Sequence, residues 1–372
     1  MKRCAKFYFI GIVALLMIGG ALWWIMPVKS FSAMENRYLN SWPVITISGI
    51  RSGEVQEQLV NASNDQFVFR DIWMKAATGF QKSLGIHDLN GVYLGKDGYY
   101  FEKILDSDIS VKHYTNNIRY VDKMAKEVKS QVSILLVPSA GYVMTDKMPN
   151  HAALYDAWRR YEQGKELLSS GNWIEIAEKL KEEKDSKQIY FRTDHHWTTQ
   201  GAYEGYCAYM KSMGEIPHSY ESFSPKCVSR TFYGTLYSKA PTIVKPDTLI
   251  IPDNIPNCQI SCDGKKRAGI YERSKLKEKD KYAVYFGGNY GIVEINNEES
   301  ESDKTLVMIK DSYANSMVPY LLPHYKRIVM LDLRYYNDSV ESLIEKENPG
   351  QVLVLYELSR FAKDSNLFKV MK

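Results

Sequence analysis

The chain has 372 residues, enough to bury one large core and a smaller appended module. Its 48 basic and 44 acidic side chains nearly cancel, leaving a net charge of +4, and no concentrated basic face marks it as a nucleic-acid binder. Tyrosine is frequent, at 27 residues; such rings mostly fill cores but also stack on sugar faces.

Phe7 to Met26 is an apolar run without a charge; about 20 such residues cross a ~30 Å hydrocarbon layer as a helix. Lys2, Arg3 and Lys6 precede the run and only Lys29 follows closely. This asymmetry keeps the N-terminus in the cytoplasm and puts everything after about Pro27 outside. Bulky Leu22, Trp23, Trp24, Ile25 and Met26 stand where a cleaved signal would need small residues, so the run reads as a retained anchor in the lipid bilayer, with Trp23 and Trp24 at its outer interface. Cys4 then faces the cytoplasm. Cys207, Cys227, Cys258 and Cys262 face an environment where disulfides persist, and admit two bridges in any of three pairings. Free thiols are the other reading. A zinc site is disfavoured, because Cys258 and Cys262 have no second ligand pair.

After the anchor (1–27), residues 28–111 form an extracytoplasmic lead-in. Phe31–Pro43 is extended; Ser52–Leu84 has helical spacing, with Val55, Leu59, Phe67, Phe69, Ile72 and Trp73 expected in the core. Val92–Phe101 is expected as a hairpin around Lys96-Asp97-Gly98. Residues 112–372 then alternate helices and strands. Helices are expected over His113–Lys129, Ala152–Leu168, Trp173–Lys184 and Thr198–Met213, with strands at Val132–Pro138 and Gln188–Arg192. About 227–302 reads as an insertion outside the main sheet. The C-terminal part continues with strands at Thr305–Ile309, Arg327–Asp332 and Gln351–Tyr356, a helix over Ala314–Leu322, and another capped by Asp338 with Glu341. The expected fold is α/β: a mostly parallel sheet with helices on both faces.

Two segments carry chemistry. In Arg192-Thr193-Asp194-His195-His196-Trp197, an extended chain would put Asp194 and His196 on one side, where a carboxylate fixes the imidazole tautomer. In Lys310-Asp311-Ser312-Tyr313-Ala314-Asn315-Ser316, Ser312 stands where a strand runs into a helix, the edge at which open α/β sheets bind ligands. Taken singly, the pair reads as structural and the serine as a helix cap. Falling together on one sheet edge, they supply nucleophile, base and orienting acid. A metal at Asp194-His195-His196 is not expected, since His87, His113, His151, His218 and His324 are scattered singly. No cofactor is expected.

At these residues the chain resembles the bacterial DHHW protein family, named for Asp194-His195-His196-Trp197. It is similar, more distantly, to the SGNH-like periplasmic alginate O-acetyltransferases. The resemblance runs nearly end to end, through Glu35-Asn36-Arg37 with Leu39 and Pro43, Tyr93-Leu94-Gly95-Lys96-Asp97-Gly98, Val137-Pro138, Phe232-Tyr233-Gly234-Thr235-Leu236, Gly287-Gly288-Asn289-Tyr290 and Lys310-Asp311-Ser312-Tyr313. It implies an SGNH-type sheet, circularly rearranged so that the Asp-x-His element precedes the serine. It further implies Ser312 as nucleophile, His196 as base and Asp194 as orienting acid, in an O-acetyltransferase that acts on a cell-surface polysaccharide. A membrane-bound O-acyltransferase is implied as acetyl donor. Lys310 departs from the glycine many SGNH enzymes carry before Asp-Ser. Oxyanion or substrate candidates are Tyr313, Asn315, Asn289 and His195, with the Ser312 and Tyr313 backbone N–H groups. An acetyl-glycan esterase and a non-catalytic glycan-binding subunit are the rival readings.

Overall fold

The computed structural model describes residues 2–32, 34–35 and 37–371. Asn36 and the side chains of Lys2, Arg3, Cys4 and Trp24, used above, lie outside the described residues. The chain divides into two compact units, residues 1–86 with 240–243, and residues 87–239 with 244–372.

In the first unit, α1 (Lys2–Ile25) is followed by a short helix at Ile47–Ser52, then α2 (Glu54–Asp65) and α3 (Arg70–Ser83). A window of α1, Lys6–Trp23, is long and apolar enough to cross a membrane. Asp65 organises the turn beyond it. It accepts a hydrogen bond from Arg37 Nη1 at 3.0 Å, and others from the backbone N–H and amide of Asn40 at 2.8 and 2.7 Å. Glu35 pairs with Arg70. The expected single helical stretch breaks at Phe69, which has a left-handed φ of 55°. Of the six residues expected in its core, only Val55 is buried; Leu59, Phe67, Phe69, Ile72 and Trp73 are exposed. Helical spacing identifies an apolar stripe but not what lies against it.

The second unit is built on an eight-stranded sheet. Its strands are β1 (Gln131–Val137), β2 (Asn172–Trp173), β3 (Gln259–Cys262), β4 (Lys265–Arg267), β5 (Ile292–Asn296), β6 (Thr305–Lys310), β7 (Arg327–Leu331) and β8 (Gln351–Glu357). They lie in the order β4-β3-β5-β7-β6-β8-β1-β2. β7, β6, β8, β1 and β2 run parallel, while β5, β3 and β4 extend one edge antiparallel. Alternate side chains feed two cores. Leu306, Met308, Leu353 and Leu355 pack with Tyr206, Tyr209 and Met210 of α6 (Thr199–Ser212). Val307, Ile309, Val352 and Val354 pack with Tyr114, Ile118 and Val121 of α4 (Val111–Glu127), and with Ile344 of α7 (Val340–Glu347). A strand buried on both faces is apolar at most positions, hence the near-continuous runs in the sequence.

The hairpin forms as expected: Val92–Leu94 pairs with Tyr100–Glu102, and Asp97 and Gly98 take positive φ in the turn. Other expectations are corrected. Residues 227–302 do not stand outside the main sheet, because three strands on its antiparallel edge come from them; interrupting Pro, Lys and Asp residues mask strands this short. Gln188–Arg192 makes only an isolated bridge, Tyr190 to Trp197. Trp173 lies in β2, and the following helix begins at Ala177. α5 (Ala157–Leu167) starts later than expected, capped by Asp156. Ser339, not Asp338, caps α7 by accepting from Ser342 N–H. Cys207, Cys227, Cys258 and Cys262 are free thiols. Cys258 and Cys262 are four residues apart along an extended segment, about 13 Å, beyond the ~7 Å Cα reach of a disulfide.

His324 offers a titratable test of this packing. Tyr206 Oη accepts from His218 N–H (2.7 Å) and lies 2.8 Å from His324 Nε2. Burial and nearby His218 push His324 down to about 4. The unfolded chain therefore takes up this proton first, and the stability present above pH ~6.5 is lost as pH falls towards 4. With the solvent screening of a partly open site, a loss on the order of 1–2 kcal/mol is expected between pH 7 and 4. Urea unfolding at both pH values checks it: His324→Gln should flatten that part of the pH profile.

Candidate active site

Each segment that carries chemistry is held at its own end before the two meet. Lys310 ends β6, and Asp311 caps the short 3-10 turn Ser312–Ser316 by accepting from Tyr313 N–H at 2.9 Å. Its other oxygen accepts from Glu357 N–H at 3.0 Å, at the end of the adjacent β8. Ser312 is thereby fixed at the carboxyl edge of two parallel strands.

The Asp194-His195-His196 segment is not extended, as the period-two argument required. Asp194 Oδ1 accepts from the His196 backbone N–H (3.0 Å) and lies 2.6 Å from His196 Nδ1. A bend does what a strand was expected to do. On the far side, His196 Nε2 lies 2.8 Å from Ser312 Oγ. The sequence-predicted Ser312, His196 and Asp194 are thus brought into one hydrogen-bonded line.

Asp194 is held in turn by the segment Phe232-Tyr233-Gly234-Thr235-Leu236. Thr235 gives its backbone N–H (2.8 Å) and its hydroxyl (3.1 Å) to Asp194 Oδ2. That hydroxyl, once donated, accepts from His195 Nδ1 at 2.7 Å, which places the His195 proton on Nδ1. Gly234 lies against the same carboxylate: a Cβ there would fall 2.2 Å from Asp194 Cβ. The preceding residue is anchored to Asp247, which accepts from Thr193 N–H (2.8 Å), Thr193 Oγ1 (2.6 Å) and Arg192 N–H (2.9 Å). Asp247 and Tyr282 had no local signal in the sequence. Tyr282 stacks on the His196 ring at 3.8 Å and 9°, and donates to Ser312 O at 3.0 Å.

Trp197 explains the fourth letter of the motif. Its indole is fully buried and donates to Tyr313 O and Ser316 Oγ, both at 3.0 Å. It binds the histidine segment to the serine turn one residue from each. Room for the ring comes from Gly205, where a Cβ would fall 2.6 Å from the indole. Tyr313 Oη returns the tie by donating to His195 O.

Electrostatics favour one ionised carboxylate here. Burial alone would raise Asp194, but the His195 and His196 imidazoles and the Thr235 N–H hold it well below the usual carboxylate range. Burial, with His196 beside it, pushes His195 far down. Lys310 is buried and lowered by that burial; it donates to Asn315 Oδ1 at 3.0 Å and stands 3.8 Å from Asp332, which Arg334 also clasps.

The remaining candidates divide. Asn315 gives its amide to Asn289 Oδ1 at 3.3 Å; Asn315 is buried and Asn289 exposed. Tyr313 N–H is taken by Asp311 and is not free for an oxyanion. His195 meets Thr235 and lies tilted by 37° against His196, ring centroids 3.8 Å apart, and no bond to Ser312 is made. Asp194, His195 and His196 present ligand atoms within 4.8 Å of one another. Asp194 Oδ1, both His196 nitrogens and His195 Nδ1 already have partners, so an ion would have to break the line to bind.

A family model described as DHHW protein matches residues 75–331. No curated protein matches. The chain is similar to the crystal structure of a DHHW family protein from Eubacterium siraeum, at 20% identity and a TM-score of 0.63, covering 75% of this chain and 95% of that one. It is also similar to Bacillus cereus PatB1, at 21% identity and a TM-score of 0.63, covering 74% and 98%. PatB1 carrying a sulfonyl adduct aligns at 22% identity and a TM-score of 0.61, covering 75% and 99%. These likenesses establish the fold, an α/β arrangement on a mostly parallel sheet, over about three quarters of the chain.

The Gly234 contact is testable. Gly234→Ala forces Asp194 away from Thr235 and His196, and should cost about 1–3 kcal/mol of stability. It should also remove the low-field Nδ1–H resonance of His196. A variant that keeps both the unfolding midpoint and that resonance would contradict the contact.

Proposed function

This chain belongs to the DHHW protein family, and on that footing we propose that it is an O-acetyltransferase of the cell envelope, acting on a polysaccharide through Ser312, His196 and Asp194. The observation that carries the reading is the single imidazole placed 2.8 Å from the serine hydroxyl and 2.6 Å from a buried carboxylate. A serine hydroxyl is a poor nucleophile until an adjacent base can take its proton. His196 Nε2 accepts that proton as Oγ attacks the acetyl carbonyl, and Asp194 stabilises the imidazolium through Nδ1–H. The Ser312 N–H, for which the described residues show no hydrogen-bond partner, and the Asn289 amide are the donors we assign to the developing oxyanion.

Collapse of the tetrahedral intermediate returns the proton to the leaving group and leaves an acetyl ester on Ser312. In the second half, His196 deprotonates a sugar hydroxyl, which attacks that ester and regenerates the serine. α1 serves as a single-pass anchor, with the second unit on the outer side of the membrane. The acetyl donor is a membrane-bound O-acyltransferase partner.

Ser312→Ala should lower surface glycan acetylation by at least about 10³-fold while leaving the chain folded and membrane-bound. Wild-type ester levels in that variant would rule the assignment out. Purified full chain given an activated acetyl ester and glycan separates transfer from hydrolysis: acetylated glycan is expected, and release of acetate alone would identify an esterase.

A further inference from the structure

In the first unit, α3 is turned inside out. At about 100° per residue, Phe69, Ile72, Trp73, Ala76, Phe80 and Leu84 fall on one stripe that no charged side chain interrupts. A surface helix ordinarily buries such a stripe against its own core. Here Phe69, Ile72, Trp73, Phe80 and Leu84 are each more than half exposed. The polar side faces the interior instead: Thr78 is buried, and Arg70 pairs with Glu35. The second unit has no counterpart. Among its described residues the large exposed apolar side chains are Val111, Trp158, Ile216, Tyr335 and Phe368, scattered singly along the chain.

The start of α3 is pinned to the outer end of α1. Gln66 Oε1 accepts from Lys29 N–H, and the Gln66 amide donates to Lys29 O, both at 2.9 Å. Trp23 of α1 and Met26 just beyond it line one cavity of about 210 Å³ with Phe67, Phe69 and Arg70. Trp23 also meets Trp42, ring centroids 5.5 Å apart. With α1 as the span, α3 begins at the level where the chain leaves the apolar layer.

We infer that α3 is a second membrane contact: it lies along the outer leaflet with Phe69, Ile72, Trp73 and Phe80 sunk into the boundary between headgroups and acyl chains. The inference rests on the reading of α1 as a membrane span, and adds the surface, its residues and its occupant. Lipid is the occupant because the tether through Gln66 holds the first residues of the stripe beside it. Indole and phenyl rings are the side chains that this boundary takes up, to a depth of about 5–10 Å. The stripe runs the length of a 14-residue helix, about 21 Å, so it can be covered at once only if the helix lies flat. Exposed Lys75 borders it, where a cation meets lipid phosphates while the rings enter the chains below.

The test uses the full chain in vesicles of phosphatidylcholine and phosphatidylglycerol, and reads tryptophan fluorescence. Lipids brominated near the glycerol end of their acyl chains quench indoles at the boundary. The Trp73 contribution, taken as wild type minus Trp73→Phe, should fall about two-fold or more in brominated vesicles. Ile72→Asp with Phe80→Asp, both on the outward stripe, should remove that quenching and leave the unfolding midpoint unchanged. A Trp73 contribution that bromine leaves intact overturns the inference. So does one shielded from aqueous iodide yet untouched by bromine, the mark of a protein partner or a second copy. Trp23 separates this failure from that of the anchor. Quenching that persists in Trp73→Phe reports α1 in the bilayer, so its loss defeats the anchor reading. Its persistence with no Trp73 contribution defeats the interfacial helix alone.

Discussion

Two loops separated by 116 residues share a hydrogen bond through one imidazole, and the arrangement around it is set by the burial of Trp197. A buried indole N–H must find an acceptor, and here it finds the carbonyl of Tyr313 and the hydroxyl of Ser316. That requirement fixes the distance between the histidine segment and the serine turn. Gly205 on α6 leaves the space for the ring, and Tyr313 closes the tie from the opposite direction. His196 is thus positioned by packing on both sides, with Tyr282 on one ring face and His195 against it.

Charge is distributed to suit this geometry. The carboxyl edge of β6, β7 and β8 gathers Lys310, Asp311, Asp332 and Glu357, all nearly inaccessible to water. Isolated, each would be costly to ionise there. Burial pushes Asp311 and Glu357 up and Lys310 down, whereas Asp194 alone is drawn strongly the other way by its two imidazoles and Thr235. The ionised carboxylate therefore sits behind the imidazole, where a proposed base needs it. Lys310 donates to Asn315, which in turn donates to Asn289.

The first unit follows different physics. Its polar turn is well satisfied by Glu35, Arg37, Asp65 and Arg70, yet Phe67, Phe69, Ile72, Trp73 and Phe80 lie on its surface. The family resemblance marked Glu35 and Arg37 without a reason; the ion pairs with Arg70 and Asp65 supply one. Thr235 and Gly234 were likewise legible as part of a motif, but their bearing on Asp194 was not, because nothing local in Phe232–Leu236 points to a carboxylate 41 residues earlier.

Sequence alone determined what local rules govern. The apolar runs of β1, β6, β7 and β8 follow from burial on both faces, and the apolar length of α1 from composition. It also singled out Asp194, His196 and Ser312, because residues of that chemistry at element ends have few structural uses in common. Tertiary structure decided the rest: that the Asp-His pair meets through a bend, that Asp247, Tyr282 and Thr235 support it, that the segment from Cys227 to Ser302 supplies strands to the sheet, and that the stripe on α3 faces outward. Each of these depends on which surfaces meet, and contact between residues distant in sequence leaves no periodicity in the chain to read.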